Sequence, residues 1–357
     1  MHIGRPKAGS SAVQAWLRAN IGALSQRGIH IVTFERDGET ARIAERSSGG
    51  IKAAAFSQRY ATKVAIGAAP ANIEAFVGRA MANLIALADR HPRVVITSEG
   101  WARLFDTDAS AFRRHLEIVC DRHDVAVTCY VRPQHHAMEA IWCQWGVRDE
   151  APMSRFLGDR VLGDADELHY EGMRRRWSSH PARLEVRPFR RDLLRAGDVV
   201  QDFAAEVLGV DPVDGDFTQP ERVNVSVSLA SGLVLRMAPP GFWSGNTRAA
   251  TAVDNRTLEH AKQVLDREGA VHGFPEFVQA AADVRAILHR WAHERYEADN
   301  RLLISALGWP TASFIPRPPD TAGPATLTAI DDVVDGIGSA PPSELFAEIA
   351  ARSRPSG

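Results

Sequence analysis

The sequence is poor in cysteine and contains no long apolar run. Its three cysteines, Cys120, Cys129 and Cys143, are odd in number and are not spaced as metal ligands, so we expect reduced thiols and a cytoplasmic protein. No apolar stretch reaches the length that crosses a bilayer, and no apolar segment typical of a signal peptide follows Met1. The sequence therefore predicts a chain without an integral membrane segment.

Positive charge is not in excess either. The chain has 42 Lys+Arg residues against 44 Asp+Glu residues, a formal charge of −2 at pH 7, which argues against nucleic-acid binding through bulk positive charge. Hydrophobic residues make up 45% of the chain and charged residues 24%, as in folded globular proteins and unlike wholly disordered ones. Nothing in the composition indicates an oligomeric state.

Predicted strands and helices alternate over the first half of the chain. Short apolar runs predict strands at 1–3, 29–34, 93–97, 125–131 and 184–186, and apolar residues at helical spacing predict helices at 12–26, 71–90, 109–123 and 134–144. Strands that alternate with helices form parallel sheets covered by helices. We therefore expect an α/β fold with a parallel sheet of about five strands, helices on both faces and helical additions at the C-terminal side.

The remainder of the chain predicts one domain followed by a tail. We expect an α/β domain over residues 1–308, and a Pro-rich linker with a partly helical or disordered tail over 309–357. Within the domain, Glu35 to Pro70 is rich in Gly, Ser and Ala and is predicted to be a long loop with a helix near 52–62. Phe274 to Leu307 is predicted to be helical but broken in two, and the tail to hold at most one short helix, Ser343 to Ala351.

A glycine-containing turn separates the first strand from the first helix. The segment from Gly4 to Ser11 reads GRPKAGSS, and its lysine is one of only four in a chain rich in arginine. Backbone amides in such a strand–turn–helix unit of P-loop type, together with the helix N-terminus, can bind a phosphate-like anion. In the Walker A pattern lysine directly follows the second glycine, whereas Gly9 here is followed by Ser10. The turn is therefore not the usual ATP or GTP loop, and a plain Gly/Ser turn with an exposed lysine is the alternative.

Two further candidates follow predicted strands. Glu99 comes shortly after the strand 93–97, and Arg132 directly after the strand 125–131. Ligands of doubly wound sheets bind beyond the carboxyl ends of the strands, so both side chains would share one crevice with the Lys7 turn. Glu99 has two alternatives, a place in a first helical turn capped by Ser98 or a Walker B-like acid for Mg²⁺. For Arg132 the alternative is a surface arginine at a strand end.

The turn resembles a known nucleotide loop. The order H-I-G-x-P-K-x-G-S-S is similar to the 5′-phosphosulfate loop of sulfotransferases that use 3′-phosphoadenosine 5′-phosphosulfate (PAPS), and Y-V-R-P-Q followed by W-x-Q resembles the second motif of the bacterial carbohydrate-type enzymes. The resemblance implies that Lys7 contacts the phosphosulfate and that Arg132 binds the 3′-phosphate. The cofactor-binding residues implied are Pro6, Lys7, Ala8, Gly9, Ser10, Ser11, Arg132, Arg222 and Asn224.

One position departs from the family pattern. A serine is expected in the helix after Arg132, but the chain has Ala140, which cannot donate a hydrogen bond to a phosphate oxygen and would weaken the cofactor site by roughly 1–3 kcal/mol. The stretch R-x-N-x-S, with Arg222, Asn224 and Ser226, resembles a family segment near the cofactor phosphates and could supply the missing donors. A second weak match to the family pattern lies earlier in the chain. It comprises Val186 to Phe189, followed by D-F at 202–203.

The resemblance implies a PAPS-dependent sulfotransferase that requires no metal. Glu99 would take the proton of the acceptor hydroxyl, and Lys7 would stabilise the charge on the leaving 5′-phosphate. The resemblance implies that the acceptor is a hydroxyl group of a small molecule or glycan, such as a carbohydrate or glycolipid. Two other functions remain open, a catalytically impaired sulfotransferase-like binding protein, favoured by Ala140, and an ATP-dependent small-molecule kinase with a degenerate phosphate loop.

Overall fold

The computed structural model describes residues 1–4, 8–37, 40–45, 70–98, 110–161, 168–220, 227–240, 242–243, 256–310, 314, 326–338 and 340–353. Contacts divide the chain into two compact units that alternate along the sequence. The first unit comprises Met1–Arg132, His169–Asn224 and Asp299–Phe314. The second comprises Pro133–Leu168, Val225–Ala298 and Ile315–Gly357.

The first unit contains a six-stranded sheet. Its strands are β1 (His2–Gly4), β2 (Ile29–Asp37), β3 (Thr40–Glu45), β4 (Arg93–Ser98), β5 (Ala126–Val131) and β6 (Arg183–Pro188). Their order across the sheet is β3-β2-β4-β1-β5-β6. The five strands from β2 to β6 in that order pair in parallel, and β3 pairs antiparallel with β2 at the edge. The predicted α/β fold with a parallel sheet of about five strands is confirmed.

The described part of the chain is otherwise mainly helical. The helices are α1 (Ser10–Ala19), α2 (Ile21–Gln26), α3 (Pro70–Ala88), α4 (Ser110–Cys120), α5 (Gln134–Trp145), α6 (Met153–Val161), α7 (Tyr170–Trp177), α8 (Val199–Asp202), α9 (Leu229–Arg236), α10 (256–262), α11 (Pro275–Leu307), α12 (Thr328–Asp335) and α13 (Ser343–Ser353). One π-helical turn, Phe203–Val207, continues α8 and another, Gln263–Arg267, continues α10.

The elements around β1 form because their apolar residues match the period of each element. In α1, Val13, Trp16 and Leu17 are fully buried, at the i, i+3, i+4 spacing that gives a helix one apolar face. In β5, every residue from Val127 to Val131 is buried, as expected for an interior strand of a parallel sheet with both faces covered. The glycine turn before α1 and the chain segment after β5 are therefore each attached to a well-packed element.

The structure corrects three details of the sequence prediction. Residues 35–37 and the strand β3 lie inside the segment predicted to be a loop, and the helix predicted near 52–62 lies outside the described residues. Helix α11 is continuous over 33 residues, because no glycine or proline interrupts it after Pro275. The tail holds two helices, α12 and α13, rather than at most one.

None of the helices in the described ranges combines the length and the apolar character needed to cross a membrane.

Candidate functional site

The three central strands end side by side. In the parallel register Ile3 of β1 pairs with Ser98 of β4, and Gly4 pairs with Tyr130 of β5. Parallel strands in register have their carboxyl ends at one edge of the sheet. The glycine turn, Glu99 and Arg132 each follow one of these strands in the sequence. The chain leaves β1 toward β2 and leaves β5 toward β6 on the other side, so this edge is the topological switch point at which such sheets bind ligands.

Only part of the predicted site belongs to the described residues. Ala8, Gly9, Ser10, Ser11 and Arg132 are described, and all five belong to the first unit. Pro6, Lys7, Glu99, Arg222 and Asn224 lie outside the described residues. Their assignment to the site therefore stays a prediction from the sequence.

Gly9 is the residue that ends the turn and caps α1. Its φ of +82° is in the left-handed region, where a side chain is strained. A Cβ at this position would lie 2.6 Å from Phe189 Cε2 and 2.9 Å from Val199 Cγ1, closer than atoms in van der Waals contact. The Gly9 carbonyl accepts hydrogen bonds from the amides of Ala12 and Val13, at 3.0 and 3.2 Å. Glycine is thus required here twice, by its backbone conformation and by its neighbours.

Ser10 places a buried hydroxyl at the start of α1. The residue is 1% exposed, and its Oγ has no hydrogen-bond partner within the described part of the chain. A buried polar atom without a partner costs free energy, so such atoms often mark the place of a ligand or water. The first amides of a helix also lack intrahelical partners and favour an anion. The Gly9–Ser10 turn therefore has two features that are typical of anion-binding turns.

Arg132 is held at the end of β5 by two aromatic residues. Its guanidinium carbon lies 5.7 Å from the centre of the Phe189 ring, within the range of a cation–π contact. The Phe189 amide donates to the carbonyl of Val131 at 2.6 Å. The hydroxyl of Tyr170 donates to the carbonyl of Arg132 at 2.8 Å. The backbone of Arg132 is therefore fixed from α7, and its side chain lies over the same ring that abuts Gly9.

A partly buried ion pair, Arg187 with Asp202, anchors the segment that carries Phe189 and Val199. Arg187 donates to both carboxylate oxygens of Asp202 at 2.8 and 3.0 Å, and the Tyr130 hydroxyl donates to Asp202 Oδ2 at 2.6 Å. Burial by itself raises the pKa of Asp202, but the hydrogen bonds from Arg187 and Tyr130 outweigh burial and hold the pKa below its ordinary value. Burial and the hydrogen bond to Asp202 raise the pKa of Tyr130, so the phenol stays protonated.

The contacts of Arg187, Asp202 and Phe189 give a structural role to the weak family match that begins at Val186. The resemblance of Arg187 to Phe189 and of Asp202-Phe203 to a family pattern gave no role for either group. In the structure Arg187 and Asp202 are a structural pair, and Phe189 is the residue that contacts both Gly9 and Arg132. Sequence reasoning missed Phe189 and Tyr170 as parts of the site, because neither belongs to a motif that itself binds an anion.

Ala140, the departure from the family pattern, is 5% exposed and lies in α5 of the second unit. Its methyl group supplies no hydrogen-bond donor. The expected loss of cofactor affinity stays a prediction.

A cavity of the first unit lies at the opposite end of the strands. Its volume is about 460 Å³, and His2, Arg93, Ala126 and Arg183 line it at the amino ends of their strands. Arg132 and the described residues of the turn are not among its lining residues. We take the carboxyl edge as the candidate site, because the buried Ser10 hydroxyl at the start of α1 and Arg132 both lie there.

Among the described residues, no group of three or more His, Cys, Asp or Glu side chains is arranged to hold a metal ion. No family model matches the chain, and no curated protein or solved structure is significantly similar to it.

Proposed function

We propose that the chain is a sulfotransferase that moves the sulfuryl group of PAPS to a hydroxyl acceptor. The observation that carries the proposal is the Gly9–Ser10 turn at the carboxyl end of the central strand β1, beside Arg132 at the end of β5. This arrangement supports binding of a nucleotide that carries phosphates at both its 5′ and 3′ positions. The sequence resemblance then selects PAPS among such nucleotides.

The described residues would bind the nucleotide end of the donor. The amides of Ser10 and Ser11 and the Ser10 hydroxyl would bind the 5′-phosphate, because α1 begins there and the hydroxyl lacks another described partner. Arg132 would bind the 3′-phosphate through charge-assisted hydrogen bonds, with its backbone fixed by Tyr170. Lys7 would bind the bridging oxygen and stabilise the negative charge that forms on the leaving phosphate.

PAPS supplies an activated sulfuryl group, so the chain has to position the reactants, remove a proton and stabilise charge. The sequence resemblance assigns proton removal to Glu99, the residue after β4 in the sequence. The sequence resemblance favours a carbohydrate or glycolipid hydroxyl as the acceptor. The sulfuryl group carries less negative charge than a phosphoryl group, and for that reason we propose transfer without a metal clamp.

A catalytically impaired binding protein is the second candidate, and Ala140 favours it. Ala140 is buried, and by the sequence resemblance its methyl group would replace a serine that donates to the cofactor. Such a protein would bind the nucleotide but would transfer no sulfuryl group.

Calorimetry with adenosine 3′,5′-bisphosphate in the presence of EDTA tests the proposal. We expect the parent protein to bind, and Lys7→Ala and Arg132→Ala to bind at least about 10-fold more weakly, the loss expected for one charged hydrogen bond. Arg18→Ala, an exposed arginine on α1, is the matched control. A parent protein that binds only ATP with Mg²⁺ would instead be a kinase, and one that binds neither nucleotide would refute the proposal.

A further inference from the structure

The cavity at the amino ends of the strands lies where β4 extends beyond β1. His2 of β1 pairs with Thr97, whereas β4 begins at Arg93, and His2 and residues 93–96 line the cavity. Its volume of about 460 Å³ is in the range of small-molecule sites. All of its lining residues belong to the first unit. Its apolar wall includes Leu84, Val95, Leu116, Val119, Phe203 and Val207.

His2 brings a buried nitrogen to this cavity. The residue is 1% exposed, and its Nε2 has no hydrogen-bond partner among the described residues. Its Nδ1 lies 2.7 Å from the Oγ1 of Thr97 and is the only described partner of that buried hydroxyl. The hydroxyl proton is satisfied when it is donated to Nδ1, so we assign the ring proton to Nε2. His2 therefore presents an N–H donor that a ligand oxygen would satisfy.

The imidazole of His2 is neutral and held in place. Burial lowers the pKa of His2 to about 3, so the ring carries no charge near neutral pH. The rings of Tyr130 and Phe203 contact the imidazole edge to face, with centroids at 5.9 and 5.3 Å. A neutral, oriented N–H group is a donor for a neutral acceptor, such as a hydroxyl or carbonyl oxygen.

Arg93 places a positive charge at a distance from His2. Arg93 and Thr97 project from the same face of β4, because side chains alternate along a strand, and four residues separate them by about 13 Å. The exposed guanidinium of Arg93 donates to the carbonyl of Leu208, and it has no carboxylate partner in the described part of the chain. The other arginine of the lining, Arg183, donates to Glu185 at 2.9 Å. Arg93 is therefore the arginine left to bind an anion.

The remaining lining residues are compatible with an anionic ligand. Asp124 is the only carboxylate of the lining, and it is exposed and belongs to the segment before β5. His123, which also lines the cavity, lies 3.2 Å from Asp89 Oδ1. The cavity thus combines one neutral donor, one arginine without a described counter-charge, and an apolar wall.

We propose that this cavity is a second ligand site, for an elongated aliphatic acid with a neutral oxygen at the end away from its carboxylate. The carboxylate pairs with Arg93, the hydrocarbon chain lies against the apolar wall, and the neutral oxygen accepts a hydrogen bond from His2 Nε2. The inference does not depend on the proposed sulfotransferase function, because the nucleotide would bind at the opposite ends of the strands.

Calorimetry with three probes tests the site: ω-hydroxydecanoate, decanoate and decanol. We expect the parent to bind ω-hydroxydecanoate most tightly. Arg93→Ala should weaken binding of both acids at least about 10-fold, the loss of one charge-assisted hydrogen bond, and leave decanol binding unchanged. Arg90→Ala is the matched control, since this exposed arginine also donates to a backbone carbonyl, that of Ala86, but does not line the cavity.

His2→Phe tests the second contact. It keeps an aromatic ring beside Tyr130 and Phe203 but removes Nε2, so we expect about 5-fold weaker binding of ω-hydroxydecanoate, the value of one neutral hydrogen bond, and unchanged binding of decanoate. Equal affinity of His2→Phe and the parent for ω-hydroxydecanoate would overturn the role of His2.

A second variant tests the cavity without changing the sheet, because His2→Phe leaves the Thr97 hydroxyl without its partner. Val207 is a half-buried lining residue, and Val207→Trp should fill the cavity and abolish binding of all three probes at a near-parental melting temperature. Folded Val207→Trp that binds the acids as tightly as the parent would place them elsewhere.

Competition separates this site from the nucleotide site. Saturating adenosine 3′,5′-bisphosphate should not displace ω-hydroxydecanoate from the parent. Displacement, a parent that binds none of the probes, or equal affinities of Arg93→Ala and Arg90→Ala for the acids would each overturn the inference. A parent that binds ω-hydroxydecanoate but not the bisphosphate would refute the sulfotransferase proposal alone and leave the acid site standing.

Discussion

The ring of Phe189 occupies the space that any side chain at Gly9 would need. Its Cε2 atom lies 2.6 Å from where a Cβ on Gly9 would be placed, and the same ring lies 5.7 Å from the guanidinium carbon of Arg132. One aromatic residue therefore restricts the glycine turn at Gly9 and contacts the arginine at the neighbouring strand end.

Gly9→Ala should disrupt this contact. We expect a loss of about 2–3 kcal/mol in the free energy of unfolding, from a strained left-handed backbone and an overpacked ring, and loss of adenosine 3′,5′-bisphosphate binding. Urea unfolding and calorimetry measure the two effects. The control is Gly22→Ala in α2, where a Cβ would meet no atom within 4 Å and stability should rise slightly. Equal stability of the two variants would contradict the contact.

Arg132 should discriminate between nucleotides. We expect Arg132→Ala to bind adenosine 3′,5′-bisphosphate at least about 10-fold more weakly, because a charge-assisted contact is lost. Affinity for adenosine 5′-phosphate, which lacks the 3′-phosphate, should be unchanged. Tyr170→Phe removes the hydrogen bond to the Arg132 carbonyl and should have a smaller effect of the same selectivity. Equal losses for both nucleotides in Arg132→Ala would exclude the 3′-phosphate role.

The Asp202 pair should be a large contributor to stability. We expect Asp202→Ala to cost about 3–5 kcal/mol, because Arg187 would keep a partly buried and uncompensated charge. Tyr130→Phe should cost about 1 kcal/mol, the value of one hydrogen bond. Since the pKa of Asp202 is lowered on folding, its stabilisation is present above the ordinary aspartate range and is lost as the pH falls through the lower folded value. Asp214→Ala, which breaks an exposed pair with Arg27, should cost under ~1 kcal/mol. Similar losses in Asp202→Ala and Asp214→Ala would contradict this account.

His2 should make the fold sensitive to mild acid. The residue is 1% exposed, its Nδ1 lies 2.7 Å from Thr97 Oγ1, and burial lowers its pKa to about 3. Between about pH 6.5 and pH 3 the His2 side chain binds a proton in the unfolded chain but not in the folded chain. The free energy of unfolding therefore falls by up to ~1.4 kcal/mol per pH unit over this range. Unfolding of His2→Gln should show a shallower slope over this range. An identical slope in both proteins would refute the role of His2.

Most regular helices and strands of the fold could be predicted from the sequence. The strand Ala126–Val131 and the helix Ser10–Ala19 follow from β-branched runs and helical spacing, since each pattern is set by local burial. The edge strand Thr40–Glu45 was missed, because its sequence TARIAE contains one large apolar residue, Ile43, and lies in a segment rich in Gly, Ser and Ala. Helix α11 was expected to be broken, although it contains no residue that would break it.

The candidate site likewise contains residues that the sequence could identify and residues that only the structure identifies. Gly9, Ser10 and Arg132 follow strands of one sheet edge, so a local motif and strand order suffice to find them. The roles of Phe189 and Asp202 depend on contacts between residues far apart in the sequence. No spacing rule relates such residues, and only the folded chain brings them together.

The most direct measurement is the acceptor-dependent conversion of PAPS to adenosine 3′,5′-bisphosphate, followed by chromatography in EDTA with the parent protein and Lys7→Ala. The sulfotransferase account predicts conversion that requires the oligosaccharide acceptor, tolerates the chelator and is lost in Lys7→Ala. Conversion that is absent from the parent, or that proceeds equally well in Lys7→Ala, would contradict the account.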